Sequence, residues 1–108
     1  MPAARESLLD AAYTALGRRP WSAVRMVDVA AAAGVSRQTL YNEFGSKDGL
    51  ARALVRREAD AYLAGVERAL VSRTEPRERL AAAAEWTVSA ARGNALVRAM
   101  PSLLPNSL

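Results

Sequence analysis

Hydrogen-bonding side chains are frequent in a short stretch near the middle of the sequence, residues 36–47. Four of them can bond to base edges or to phosphates: Arg37, Gln38, Thr39 and Asn42. Tyr41 lies among them, and its ring can pack inside a fold while its hydroxyl reaches a phosphate oxygen. A solvent-exposed polar face would have a similar composition, so residue types alone leave both interpretations open.

Positive charge is concentrated around the same stretch. Residues 18–57 contain eight basic and three acidic side chains, whereas the rest of the chain has a slight excess of acid. The whole chain has a formal net charge of +4, which favours an anionic partner but also occurs in proteins that bind no polyanion. The single lysine, Lys47, lies where a fourth helix is predicted to begin, so its ammonium group and the free backbone N–H groups would together attract a phosphate.

Residue types that support catalysis or metal binding are scarce. The sequence has no cysteine and no histidine, which excludes disulfides, thiol catalysis and Cys/His metal sites. No pair of carboxylates falls on one helix face in a predicted cleft, so an acid–base or nucleophilic site cannot be assembled. We therefore predict a protein that is not an enzyme and has no catalytic residues, no metal and no cofactor.

Membrane insertion is not predicted either. No apolar run approaches the ~18 residues that cross a bilayer. The N-terminal sequence MPAARESLLDAAY lacks the apolar segment of a signal peptide, and the lack of cysteine agrees with a reducing compartment. We expect a soluble, cytoplasmic protein without a membrane partner.

Apolar residues recur at helical spacing along almost the whole chain, and no segment alternates as a strand would. The predicted fold class is all-α. The predicted helices cover about residues 5–16, 27–33, 37–44, 47–70 and 76–91. Beyond Gly93 we expect one or two helical turns that stop before Pro101, followed by an irregular end.

The two short helices in the middle of the chain have the sequence pattern of a helix-turn-helix. Gly34 tolerates the positive φ that a tight turn requires, and Val35 can fill the angle between the helices. Ser36 can cap the third helix through its hydroxyl, Gly45 ends that helix, and Ser46 can cap the fourth. The third helix is therefore predicted to project its N-terminal polar residues outward.

The sequence DVAAAAGVSRQTLYNEFGSKDGL closely resembles the signature of TetR-family transcriptional regulators. In that family an alanine-rich second helix, a G-V-S turn, a short recognition helix with L-Y-x-x-F and an S-K-x-x-L start of helix four occur in this order. The resemblance covers about residues 5–70 and includes Trp21, where the family often has Phe. It implies a three-helix bundle with a helix-turn-helix, a long connecting helix and the start of a helical regulatory domain.

The resemblance also assigns roles to residues of this chain. The side chains of residues 37, 38, 39 and 42 would face the major groove, and Tyr41 and Lys47 would hold phosphates. The small core beneath the recognition helix would consist of Val29, Val35, Leu40 and Phe44. The DNA-binding residues predicted in this way are Arg25, Ser36, Arg37, Gln38, Thr39, Tyr41, Asn42 and Lys47.

Arg25 departs from the family pattern. The family commonly has Thr at this position as the N-cap of helix two, but an arginine side chain cannot accept the backbone N–H bond. Either Ser22 caps an earlier start of the helix, or the helix is frayed. Arg25 is included among the DNA-binding residues on the hypothesis that it contributes a phosphate contact.

The resemblance further implies a domain organisation and a mode of action. Residues 1–46 would form the DNA-binding domain, residues 47–71 the connecting helix, and residues 72–108 a partial regulatory and dimerisation region. The implied function is that of a sequence-specific DNA-binding transcriptional regulator, a repressor relieved by a small-molecule effector. A homodimer would set two recognition helices roughly 34–36 Å apart over a near-palindromic operator in double-stranded DNA.

The C-terminal part limits this transfer. Similar proteins usually continue with several more helices, so we expect a truncated or incompletely represented regulatory domain. Trp86, Leu96 and Met100 could line the start of an effector pocket, although their helical spacing also fits a core. A helical protein–protein module, with its polar short helix merely solvated, is the alternative to a DNA-binding protein.

Overall fold

A computed structural model describes residues 3–103, with the side chains of residues 3–99. The described residues contain helices and no strand, which confirms the predicted all-α class. Six α-helices and one short 3-10 turn, Trp21–Ala23, follow each other between residues 3 and 103. The helices are α1 (Ala4–Leu16), α2 (Met26–Ala33), α3 (Arg37–Phe44), α4 (Lys47–Val71), α5 (Pro76–Gly93) and α6 (Ala95–Leu103).

The main core lies among α1, α2 and α3, and α1 and α3 also pack against α4, whose N-terminal half contributes buried leucines. Leu8 and Ala12 of α1 are four residues apart and face it together, as do Leu50 and Leu54 of α4. Fully burying one leucine stabilises the fold by about 1.5–3 kcal/mol. This core holds the short helices α2 and α3, which are too short to be stable alone.

Beyond this core, α4 and α5 pair in antiparallel orientation. The ring of Trp86 lies directly on Gly65, where a side chain would collide with it. The indole N–H donates a hydrogen bond to the carbonyl of Tyr62 at 2.9 Å. Helix α5 has no fully buried residue, and its outer side exposes apolar side chains such as Leu80 and Val88.

A line of polar contacts joins α1, α4 and the start of α6. The Arg57 guanidinium donates to Asp10 at 2.6 Å and to Glu58 at 3.2 Å. Glu58 accepts in turn from the Asn94 side-chain amide at 2.8 Å. Burial lowers the pKa of Arg57, but its hydrogen bonds to Asp10 and Glu58 and the charges of these carboxylates outweigh that effect, so the pKa is raised above its ordinary value.

Helix α6 differs from the sequence prediction. It continues through Pro101 to Leu103, whereas the helical turns were expected to stop before Pro101. Asn94 caps its start, because the side-chain oxygen accepts from the backbone N–H groups of Leu96 at 2.8 Å and Val97 at 3.2 Å. Packing of α6 against α1 and the 3-10 turn stabilises a helix that lacks one N–H donor near its end. The expected irregular end beyond residue 103 lies outside the described residues.

Candidate nucleic-acid interface

Two glycines with positive φ stand at the two ends of α3. Gly34 has φ +74°, and the N–H groups of Gly34 and Val35 bond to the carbonyls of Ala31 and Ala30 at 3.1 and 3.0 Å. This pair of bonds is a Schellman motif, which satisfies the last carbonyls of α2. Gly45 ends α3 and also has a positive φ, +79°, but its ψ of −39° places it outside the left-handed helical region that Gly34 occupies. The predicted turn and stop are therefore present.

The inner face of α3 fixes its orientation. Leu40 is fully buried in the main core, and Val29 lies in the same cluster. Val35 and Phe44 are half-buried against it, so the four predicted core residues lie together. The guanidinium of Arg5 lies 4.8 Å from the centre of the Phe44 ring, which ties the start of α1 to the end of α3. The sequence contained no signal for that contact.

The outer face of α3 presents polar side chains that have no hydrogen-bond partner among the described residues. Gln38 and Asn42 each stand two positions from Leu40, about 200° around the helix axis, and therefore point away from the core. Tyr41 is 46% exposed, and Arg37 is also exposed. None of these four side chains has a hydrogen bond or ion pair within the described part of the chain. Their donors and acceptors are free for an external partner.

Ser36 and Thr39 differ from those four residues. The Ser36 hydroxyl accepts from the Thr39 backbone N–H at 3.1 Å, which is the predicted N-cap. The two hydroxyls also lie 3.0 Å apart and share a hydrogen bond. Thr39 is half-buried, so its hydroxyl is partly committed to the cap.

Lys47 begins α4 beside α3. Ser46 caps this helix, since its hydroxyl accepts from the Gly49 N–H at 3.0 Å, as predicted. The Lys47 ammonium lies 5.4 Å from the centre of the Trp21 ring, and Trp21 is 7% exposed. From the sequence, Trp21 is recognisable only as an aromatic residue before helix two, because nothing in the sequence indicates that its ring meets Lys47.

Arg25 occupies the N-cap position of α2 without a side-chain cap bond. Its backbone carbonyl accepts from the N–H groups of Asp28 and Val29, both at 3.1 Å. Helix α2 begins at Met26, so the alternative in which Ser22 caps an earlier start is wrong. The exposed Arg25 side chain makes no ion pair with a described residue.

The predicted effector residues do not share one cavity. Leu96 is buried in the core and lines a cleft of about 290 Å³ between α4, α5 and α6, together with Val55 and Tyr62. Trp86 is half-buried and lines an adjoining cleft on the side of α1, which shares Tyr62 and Asn94 with the first. The side chain of Met100 lies outside the described residues.

Among the described residues, no group of three or more acidic side chains is close enough to hold a metal ion. No helix described by the structure has the length and apolar character needed to cross a membrane.

The family described as "Bacterial regulatory proteins, tetR family" matches residues 8–54, which include α2, α3 and the start of α4. The chain is 52% identical over 66 residues to the HTH-type transcriptional regulator AlkX of Mycobacterium tuberculosis, covering 61% of this chain and 31% of that protein. It is 41% identical over 81 residues to the HTH-type transcriptional activator FasR of Mycolicibacterium smegmatis, covering 75% of this chain and 37% of that protein.

A solved structure has the same fold. The TetR family repressor AlkX from Dietzia sp. strain DQ12-45-1b, implicated in biodegradation of n-alkanes, superposes with a TM-score of 0.83 at 34% sequence identity. The match covers 92% of this chain and 55% of that one. The chain thus spans about a third of the length of these two curated relatives and about half of the solved structure.

Proposed function

Because the chain belongs to the TetR family of transcriptional regulators, we propose that it binds double-stranded DNA sequence-specifically, with α3 as the recognition helix in the major groove. The observation that supports this most directly is the outer face of α3: Arg37, Gln38 and Asn42 have no hydrogen bond or ion pair with a described residue, while the inner face of the helix is packed into the core. Proteins of this family and the relatives named above are transcriptional regulators and not enzymes.

The proposed contacts divide into two kinds. Arg37, Gln38 and Asn42 meet base edges, and Thr39 adds a weaker contact because its hydroxyl also bonds to Ser36. Phosphates are held by Tyr41, Lys47 and Arg25, with Ser36 at the N-terminus of α3 beside them. Direct readout favours guanine for arginine and adenine for glutamine.

We also propose the domain organisation and assembly that the sequence suggested. Residues 1–46 form the DNA-binding domain, residues 47–71 the connecting helix, and residues 72–108 part of a regulatory and dimerisation region. A homodimer acts on a near-palindromic operator, with its recognition helices roughly one helical turn of DNA apart. The protein is proposed to act on DNA in the bacterial cytoplasm.

The proposed mode of regulation is repression relieved by a small-molecule effector. The solved AlkX structure is that of a repressor, whereas FasR is named an activator, so reporter expression with and without this chain decides the sign. The cleft beside Leu96 is the proposed effector region, because its apolar lining joins α4 to α5 and α6. An occupant there would act on α4, whose first turn bears Lys47.

Selection of bound duplexes from a random library tests DNA recognition, repeated with Gln38→Ala and Lys47→Ala. Gln38→Ala should change the preferred base at one position of each half-site at a cost of about 1–3 kcal/mol. Lys47→Ala should weaken binding to all sequences and reduce the slope of log affinity against log salt by about one per subunit, or about two for the dimer. Arg73→Ala is the matched control for charge removal, because Arg73 lies beyond the far end of α4, whose last residue is about 36 Å along the helix from Lys47.

Unchanged binding and base preference in both variants would exclude recognition through α3. A helical protein–protein module would instead show no steep dependence of DNA affinity on salt. Arg25→Ala belongs in the same series, and an unaltered affinity would remove its proposed phosphate contact.

A further inference from the structure

Trp21 is the unexpected neighbour of the proposed phosphate-binding residues. It precedes α2 in the chain, yet its ring centre lies 5.4 Å from the Lys47 ammonium, within the range over which an aromatic face attracts a cation. We infer that Trp21 is a positioning residue that holds this ammonium group ready for a phosphate. The inference rests on the proposed function, because it gives Lys47 a DNA phosphate as its partner.

The indole is the contact that orients Lys47. Within the described part of the chain, the ammonium makes no ion pair and no hydrogen bond, although Asp48 follows it directly in sequence. A contact with an aromatic face leaves the N–H donors of an ammonium group open on its other sides. The charge is therefore held in place and still available to an external anion.

Trp21 is itself rigidly held. Its side chain is 7% exposed in the main core, and its backbone carbonyl accepts from the N–H of Val24 at 3.0 Å in the 3-10 turn. A free lysine side chain loses much rotamer freedom when it is ordered on a ligand. A fixed indole face removes part of that loss before DNA binds, and indole is the strongest of the aromatic faces for a cation.

The experiment measures affinity of the full chain for a mixed-sequence DNA duplex of about 30 base pairs, because phosphate contacts do not depend on sequence. Four variants are compared with wild type: Trp21→Phe, Trp21→Leu, Lys47→Ala and Trp21→Leu with Lys47→Ala. Trp21→Leu should weaken binding by about two- to five-fold, and Trp21→Phe by less, because phenyl retains a weaker face. In the Lys47→Ala background, Trp21→Leu should have no further effect.

Two readouts separate positioning from simple folding. Thermal unfolding shows whether each variant is folded, and Trp21→Phe keeps a ring in the core if Trp21→Leu does not fold. Proton NMR of wild type should show the Lys47 ε-methylene signals shifted upfield by the indole ring current, and Trp21→Leu should abolish that shift.

An equal loss from Trp21→Leu with and without Lys47 would overturn the positioning role, since Trp21 would then act through folding alone. Unshifted ε-methylene signals in wild type would overturn it as well. If wild type shows the ring-current shift but binds no duplex, the proposed function fails and the positioning role falls with it. That result differs from the one in which wild type and Trp21→Leu bind DNA equally well. In that case the positioning role alone fails.

Discussion

At the scale of single residues, the polar side chains of α3 fall into two groups that their residue types do not separate. Gln38 and Asn42 project from the outer face and have no partner in the described structure, whereas the hydroxyls of Ser36 and Thr39 bond to each other. The first group is free to recognise an external molecule. The hydroxyls of Ser36 and Thr39 stabilise the start of the helix that presents the first group. Their removal should therefore lower the stability of the protein before it affects recognition.

Ser36 allows the cap to be separated from DNA binding. Ser36→Ala removes the oxygen that accepts from the Thr39 N–H, so the free energy of unfolding should fall by about 0.5–2 kcal/mol. Ser36→Asp restores an acceptor and should keep most of the stability, but its negative charge should weaken DNA binding. Urea unfolding and duplex titration measure the two effects. An unchanged unfolding midpoint in Ser36→Ala would show that the cap contributes little.

At the scale of elements, α3 is oriented by the backbone at its ends as much as by its own side chains. The left-handed conformation at Gly34 turns the chain sharply, and it brings Val35 against the core before α3 begins. A Cβ at Gly34 would meet no atom within 4 Å, so glycine is needed there for its backbone conformation and not for space.

Gly34 and Gly93 form a matched pair for testing that argument. Neither position would bring an added Cβ within 4 Å of another atom, but only Gly34 has positive φ. Gly34→Ala should destabilise the protein by about 1–2 kcal/mol, because a non-glycine residue is strained in this region. Gly93→Ala, at the end of α5, should be neutral or stabilise by up to about 1 kcal/mol. If the urea midpoints of both variants shifted from wild type in the same direction, the prediction would be contradicted.

At the scale of the whole molecule, the helix-turn-helix is joined to the C-terminal helices by polar contacts as well as by the core. The line from Asp10 through Arg57 and Glu58 to Asn94 connects α1 with the cap of α6. A second link runs from α1 to α6, where the Tyr13 hydroxyl accepts from the Ala95 N–H at 3.0 Å. A displacement of α6 would therefore also displace α1 and α4.

Arg57→Met tests the importance of the first link. It should destabilise the fold by about 1–3 kcal/mol, mainly because the partly buried Glu58 loses its cation, whereas Asp10 is largely exposed and contributes less. Arg56→Met is the matched control: Arg56 is exposed and makes no ion pair with a described residue, so its effect should stay within about 0.5 kcal/mol. Equal unfolding midpoints for the two variants would contradict a structural role for Arg57.

The pH dependence of the Arg57 contribution follows from its raised pKa. A group whose folded-state pKa is raised stabilises fully below its unfolded value, and the contribution is lost only as the pH rises through the folded value. For an arginine both values lie far above neutrality. Titration of Arg57 should therefore leave the difference between wild type and Arg57→Met unchanged between about pH 6 and pH 9.

The sequence by itself determined the helical class, the bounds of α3 and the turn before it. Those features depend on local chemistry: apolar spacing defines the helices, Ser36 and Ser46 cap them, and Gly34 and Gly45 adopt the backbone conformations that end them. Local signals were weaker at α6, where Pro101 suggested a stop that packing overrides.

Only the tertiary structure decided which distant side chains meet. The contacts of Lys47 with Trp21 and of Arg57 with Asp10 join residues far apart in sequence, and they depend on how the helices are placed against each other. The same placement puts Trp86 of α5 and Leu96 of α6 in two adjoining clefts instead of one. Periodicity identifies the face of a helix on which a residue lies, whereas its neighbour across the fold is set by long-range packing.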